Sequence, residues 1–414
     1  MTLSYADALE YIFPRITTIK FGLDTTSALL EGLGNPQHQF PAVHIGGTNG
    51  KGSVATLVAD ALAGAGFRTG LYTSPHLVSF RERIRVDGSP ISQSAVAMWV
   101  ERLQPQIEEL GATFFEVTTA MAFADFAARG VEIAVVEVGL GGRLDSTNVL
   151  RPVVSGVTKV ARDHMKYLGE SLEAIAREKA AIAKPNAPFI IGETDPALVT
   201  VLSETADHAV AQLQPGAAAD IRVVPAHEEW TGPLGLAGPH QRRNAAVAAA
   251  MLDALPRQFQ PPAAVRARAF ARARVPGRLD RRGKWLFDVA HNPDGMEALV
   301  RAVADLDPPR PLHALVSILG DKEWAEMLVR LDGIVDRGVL TIAPTAQGRG
   351  WDLAWLSEWL ARPDRPPAHA EWHLEPDFGL ALRAVQQGAG TVLVTGSFHT
   401  VGDVMAALGM MDGD

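Results

Sequence analysis

Ile45-Gly46-Gly47-Thr48-Asn49-Gly50-Lys51-Gly52-Ser53 follows Val43 and His44 and leads into Val54, Leu57, Val58 and Leu62, spaced as on one face of a helix. A strand, a glycine-rich turn and a helix in that order can hold phosphate. The glycines let backbone N–H groups close around an anion, the helix N-terminus adds partial positive charge, and Lys51 adds a full one. Ser53 could ligate Mg²⁺. The strict pattern G-x-x-x-x-G-K-[ST] is not met, because Ile45 takes the place of its first glycine and Gly52 separates Lys51 from Ser53. On these residues alone, a strand-to-helix turn that binds no nucleotide stays open.

Outward from the loop, short β-branched runs alternate with longer amphipathic segments, the signature of a parallel sheet wrapped by helices. Strands are expected at Ala42–Ile45, Gly70–Thr73, Ile133–Val138, Val154–Val160 and Pro188–Ile191. The stretch Gln212–Gly238, rich in Ala, Gly and Pro, reads as loops and short strands, and His240–Leu255 as a helix. Alternation restarts with strands at Trp285–Val289, Leu312–Ile318, Gly338–Ile342 and Thr391–Val394. Helices are expected from Asp294, Glu323 and Leu353, and over Val401–Leu408. The chain of 414 residues is too long for one ordinary core. We expect an α/β protein of two domains: 1–274, a phosphate-loop domain with a mostly parallel sheet, and 275–414, a smaller Rossmann-like α/β domain.

Composition narrows the classes. Apolar residues make up 47% and charged residues 21%, as in a compact folded protein, and the absence of cysteine excludes disulfides, thiolate metal sites and a cysteine nucleophile. A net charge of −9 argues against a general nucleic-acid surface. The arginine-rich run from Arg266 to Arg282 reads mainly as a solvated helix face and loop. Asp7 and Glu10 interrupt the apolar core that a signal peptide would need, and no later segment approaches a membrane-spanning run. The expectation is a cytoplasmic protein, monomeric, with neither nucleic-acid nor membrane partner.

Open α/β sheets bind ligands beyond the carboxyl ends of their strands, so polar residues just after apolar runs are the candidates. These are Thr73-Ser74-Pro75-His76, Glu137, Asp163-His164, and Asp288 with His291-Asn292-Pro293. Glu137, ending a strand near a phosphate loop, is a metal candidate. A carboxylate capping a turn or paired with Arg143 is the other reading. His164 could serve a second metal or be structural.

Taken in order, several segments resemble the folylpolyglutamate synthase/dihydrofolate synthase branch of the Mur ligases. They are Gly47–Ser53, Tyr72–Leu77, Glu137–Asp145, Asp163-His164, Glu178-Lys179-Ala180, His240-Gln241 with Asn244-Ala245-Ala246, Pro276-Gly277-Arg278, Asp288–Pro293 and Thr395-Gly396-Ser397. The departure from the strict phosphate-loop pattern is then explained, because that family's loop reads G-T-N-G-K-G-[ST]. Three smaller departures stand: Gly46 before Gly47, Ala161-Arg162 before Asp163, and a short stretch between Ile221 and Gly238.

The resemblance implies a P-loop-type ATP-binding domain and ATP-dependent joining of L-glutamate to dihydropteroate or to a tetrahydrofolate through an acyl phosphate. It implies that Asn49, Gly50, Lys51, Gly52 and Ser53 bind ATP, with Asn244 at the adenine and Arg278, Asp288 and His291 reaching the nucleotide from the second domain. Two Mg²⁺ sites are implied, with Ser53, Ser74, Glu137 and His164 as ligands, and Lys179 matches a lysine that the family carbamylates. Thr113-Phe114-Phe115-Glu116 and Asp145 match the pterin side, although an aromatic pair such as Phe114-Phe115 equally reads as core or a helix start. Tyr72–Arg85 and Ser397–Met405 look most like bacterial members, which favours a bifunctional enzyme. A peptidoglycan precursor ligase is disfavoured, since only about 45 residues precede the loop. A nucleotide-regulated binding protein without ligase activity is the reading from another class.

Overall fold

The computed structural model describes residues 3–17, 20–346, 348–362 and 369–410. It divides into two compact units, one of 1–76, 80–234 and 243–273 and another of 77–79, 235–242 and 274–414. Two short excursions, 77–79 and 235–242, thus belong with the second unit, a detail that no linear boundary near Val275 could capture.

Among the described residues, the first unit has eight strands: β1 (Ala42–Gly46), β2 (Thr69–Tyr72), β3 (Ile84–Val86), β4 (Ser89–Pro90), β5 (Ile133–Glu137), β6 (Val154–Val157), β7 (Pro188–Ile191) and β8 (Asp220–Val223). Their order is β4-β3-β2-β5-β1-β6-β7-β8. All neighbours are parallel except β2 with β3 and β3 with β4. Every residue of β1, β2, β5 and β6 is buried, as expected of parallel strands covered on both faces. The exposed β8 and the short β3–β4 ribbon at the edges carry no such apolar run. The helix Phe114–Ala128 has buried positions around most of its surface, so it lacks the one-sided stripe that marks a helix in sequence. Its Phe123 and Phe126 are wholly buried; truncating such a ring to alanine typically costs about 3–5 kcal/mol.

β6 stops at Val157, three residues short of the expected end, because the chain there turns beneath the phosphate loop: Thr48 N–H donates to Lys159 O at 2.6 Å, and Asn49 and Lys159 form an isolated bridge. The strand order explains where a site can lie. β1 sits between β5 and β6, so its glycine loop emerges beside Glu137 at the end of β5 and Thr158 just after β6.

The second unit carries β9 (Asp280–Arg282), β10 (Trp285–Phe287), β11 (Leu312–Val316), β12 (Arg337–Leu340), β13 (Glu371–Leu374) and β14 (Thr391–Thr395), in the order β13-β12-β11-β14-β10-β9. Only β9 runs antiparallel. Apolar clusters cover both faces, one around Met296, Leu299 and Met327, the other around Phe287, Val394 and Val401. The helix expected at Val401 begins at Phe398, where Ser397 caps it by accepting the Thr400 N–H at 3.1 Å. Among the described residues, no helix is long and apolar enough to cross a membrane.

Candidate active site

The phosphate loop is held from below. Thr48 Oγ1 donates to Ala161 O and accepts the Ala161 N–H, each at 3.1 Å, and Thr158 Oγ1 donates to Asn49 O at 2.7 Å. Gly47 and Gly50 have φ of 137° and 93°, in the region that disfavours side chains. Space argues the same way: a β-carbon on Gly50 would lie 2.5 Å from Asn244 Oδ1, which places Asn244 of the helix Pro239–Asp253 against the loop. Lys51 opens the helix Lys51–Gly64 and folds back over the turn, donating to Thr48 O at 3.1 Å. Ser53 is buried in the first turn of that helix.

Glu137 is 4% exposed, and its Oε2 accepts the Ser74 N–H at 3.0 Å. A β-carbon on Gly52 would sit 3.7 Å and 3.8 Å from the two Glu137 oxygens, so the carboxylate faces the start of the loop helix across a glycine. The alternative pairing with Arg143 is not made: Arg143 pairs with Glu178 at 2.9 Å. Asp145 lies close by. A β-carbon on Gly139 would be 3.2 Å from Asp145 Oδ2 and 3.7 Å from Ser74 Oγ. Burial raises the Asp145 pKa, while hydrogen bonds from Thr147, Leu140 and Gly139 oppose the rise.

Lys179 is 4% exposed, and its Nζ donates to Gly47 O at 2.9 Å. Burial, and then the nearby charge of Lys51, pull its pKa down to about 7. His164 is partly exposed, adopts φ of 51° and precedes the short helix Met165–Leu168, with Nε2 3.9 Å from Asp163 Oδ2. Among the described residues, no three His, Asp or Glu side chains converge as a metal cluster. Glu137 beside the Ser74 turn, and the buried Ser53 in the first turn of the loop helix, each offer a hard oxygen of the kind that suits Mg²⁺.

At Thr113–Glu116 the structure has a helix start. Thr113 is the N-cap and Glu116 closes a capping box, its carboxylate accepting the Thr113 N–H at 2.7 Å. Phe114 is wholly buried, stacked 5.5 Å from Phe13 with Phe80 and Phe115 edge-on. Thr113, Phe114 and Glu116 therefore have packing and capping work that needs no ligand, whereas Phe115 keeps partial exposure. Beneath them lies Arg83, which motif reasoning passed over. It is buried, its guanidinium carbon is 5.2 Å from the Phe114 ring centre, and Nε donates to His76 Nδ1 at 2.8 Å.

In the second unit, Asp288 is buried and accepts the Leu279 and Ala290 N–H groups at 3.0 and 2.9 Å. Burial raises its pKa against the opposing charge of Arg278. The Arg278 guanidinium and the His291 ring both lie 5.4 Å from the Phe398 ring, so Phe398 gathers the two, and His291 Nδ1 sits 2.9 Å from Val289 O.

Two domain families match the chain: Mur ligase middle domain over 45–252, and Mur ligase, glutamate ligase domain over 275–398. The chain is 31% identical to the dihydrofolate synthase/folylpolyglutamate synthase of Bacillus subtilis, covering 99% of this chain and 100% of that one. With the folylpolyglutamate synthase of Lacticaseibacillus casei it shares 36% identity, over 80% and 83% of the two chains. Escherichia coli FolC in complex with DHPP and ADP superposes with a TM-score of 0.83 at 30% identity, covering 98% of each chain. This chain belongs to the folylpolyglutamate synthase/dihydrofolate synthase family.

As a member of that family it is an ATP-dependent ligase of Mur ligase fold. Two local supports carry no motif: Thr158 under the loop of the first unit, and Phe398 between Arg278 and His291 of the second. Neither carries a local signal beyond following a strand. The buried Lys179 also predicts a pH effect. Its folded pKa of about 7 lies below the ordinary 10.5, so between those values the unfolded chain binds more protons and stability rises with pH. Thermal melts from pH 7 to pH 10 are expected to show that rise in the wild-type synthase and a flatter profile in Lys179→Met. Parallel profiles would mean that Lys179 keeps an ordinary pKa.

Proposed function

We propose that this chain joins L-glutamate to dihydropteroate, and also extends tetrahydrofolate with glutamate, as a bifunctional dihydrofolate synthase/folylpolyglutamate synthase. The observation that carries the reading is the convergence of loop, Lys51 and the Glu137 carboxylate across Gly52. A carboxylate oxygen is a poor leaving group, so an amine cannot displace it directly at neutral pH. The γ-phosphoryl group of ATP passes to the pterin-side carboxylate, giving ADP and an acyl phosphate. The glutamate nitrogen then attacks the acyl carbon, the tetrahedral intermediate expels inorganic phosphate, and the nitrogen sheds its proton as the amide forms.

In this reading, Asn49, Gly50, Lys51, Gly52 and Ser53 hold the phosphates, and Asn244 takes the adenine. Ser53, Ser74 and Glu137 hold Mg²⁺, and His164 serves a second ion. Bound there, Mg²⁺ neutralises phosphate charge. The depressed pKa of Lys179 leaves an appreciable fraction of neutral amine at pH 7, which is the form that carbamylation requires. Asp145 and the partly exposed Phe115 face the pterin. Arg278, Asp288 and His291 contact the nucleotide. Residues 1–274 form the ATPase body and 275–414 the ligase domain of a cytoplasmic monomer.

The deciding experiment is ADP release by the purified protein with Mg²⁺ and L-glutamate, comparing dihydropteroate, tetrahydrofolate and no pterin. Release that needs glutamate and responds to both pterins supports the bifunctional reading. A response to tetrahydrofolate alone restricts it to polyglutamate extension, and no pterin dependence overturns it. For Arg278→Ala, the KM for ATP is expected to rise about tenfold or more, as for loss of a charge-assisted phosphate contact, with the pterin KM nearly unchanged. Equal effects on both would remove Arg278 from the nucleotide side.

A further inference from the structure

His44 is an odd residue for the middle of a buried strand. It is wholly inaccessible on β1, in register with Val136 of β5 and Ser155 of β6, and its Nδ1 finds no hydrogen-bond partner among the described residues. An apolar side chain would fill the place without leaving a ring nitrogen unpaired. Sequences break such local rules mainly where function demands it.

Its other nitrogen shows what the ring does. His44 Nε2 lies 2.8 Å from Thr147 Oγ1, and the Thr147 hydroxyl in turn donates to Asp145 Oδ1, which also accepts the Thr147 N–H at 2.9 Å. Asp145 Oδ2 accepts the Leu140 N–H at 2.8 Å. A threonine hydroxyl has one proton, and with that proton given to Asp145 Oδ1 its oxygen accepts from His44 Nε2–H. The tautomer is thereby fixed, and the bare nitrogen is Nδ1, the atom left without a partner. Burial, with Lys184 nearby, holds the His44 pKa down at about 3, so the ring stays neutral. Lys184 also pins the same turn, donating to Asn148 Oδ1 at 2.6 Å.

We propose that His44 is a positioning residue for substrate recognition, acting through the Thr147 hydroxyl to fix the Asp145 carboxylate toward the pterin. This rests on the reading of Asp145 as the pterin-side acid. A bicyclic heteroaromatic presenting adjacent N–H donors would be gripped by a carboxylate whose orientation is set before binding, so no rotamer freedom is lost on association. The relay belongs to the β1 strand beneath the phosphate loop, and it makes the β1 backbone a shared support for nucleotide and pterin.

The test uses the full chain and measures kcat, the KM for dihydropteroate and the melting temperature for His44→Leu, Thr147→Val, Thr147→Ser, Asp145→Asn and the double variant Asp145→Asn/Thr147→Val. Thr147→Val and His44→Leu are expected to raise the KM about five- to tenfold, within the range of coupled contacts, with kcat nearly unchanged. Thr147→Ser, which keeps the hydroxyl, should restore the wild-type KM. His44→Leu should melt no lower than the wild type, because it removes an unpaired buried nitrogen. The double variant should be no worse than Asp145→Asn alone. An unchanged KM in Thr147→Val, while Asp145→Asn raises it, would overturn the relay and leave Asp145 in place, as would full additivity in the double variant. An unchanged KM in Asp145→Asn would overturn both. Should His44→Leu fail to fold, the threonine pair and the double variant decide the matter.

Discussion

Lys51→Ala should lower the rate of ADP release by about 10³-fold or more, the scale set when a preorganised charge is taken from a transferring phosphoryl group. Lys51 lies over the turn, donating to Thr48 O, and its charge is the full positive one that the loop residues Gly47–Ser53 carry. Its loss leaves the glycine turn intact, because that turn is held by Thr48, Thr158 and the backbone at Lys159 and Ala161. The melting temperature is therefore expected to stay within a few degrees, as for substitutions away from the core. Retention of a tenth of the wild-type rate would sink the assignment, and unfolding would make Lys51 a structural residue.

Glu137→Ala should be nearly as damaging, on the order of 10³-fold in turnover, because it removes the carboxylate that faces the start of the phosphate-loop helix. Loss of structure is not expected to explain the effect. Truncation takes the acceptor from the Ser74 N–H, a loss of about 1–3 kcal/mol that should lower the melting temperature without unfolding the chain. Glu137→Gln separates two roles. Glutamine keeps an oxygen for the Ser74 N–H, now 3.0 Å from Glu137 Oε2, but carries no charge. If turnover stays low in Glu137→Gln at any Mg²⁺ concentration, the charge is what matters. A fully active Glu137→Gln would reduce Glu137 to a hydrogen-bond acceptor that orders the Ser74 turn.

The residues that were easiest to read are those whose surroundings are local. Gly50 and Lys51 are neighbours in sequence and remain so in space, and a turn that needs φ of 93° asks for glycine whatever lies around it. β8 and the β3–β4 ribbon were harder, since edge strands with polar or very short runs carry little periodic signal. The helix Phe114–Ala128 was hidden for the opposite reason, being buried nearly all round. At Thr113–Glu116, the same four residues fit a capping box and a ligand motif, and only the packing of Phe114 against Phe13 and Phe80 shows that its ring is already occupied.

Sequence by itself determined the phosphate turn, the alternation of strand and helix in both halves and the family to which the chain belongs, because each depends on residue order over short spans. Tertiary structure alone decided that Glu137 faces Gly52, that Lys179 is buried against Gly47 O and that His44 reaches Asp145 through Thr147. Those contacts join residues far apart in the chain, and they exist because parallel pairing sets β5, β1 and β6 side by side with their carboxyl ends together. Such an arrangement is a property of strand order, which a local reading of apolar runs does not contain.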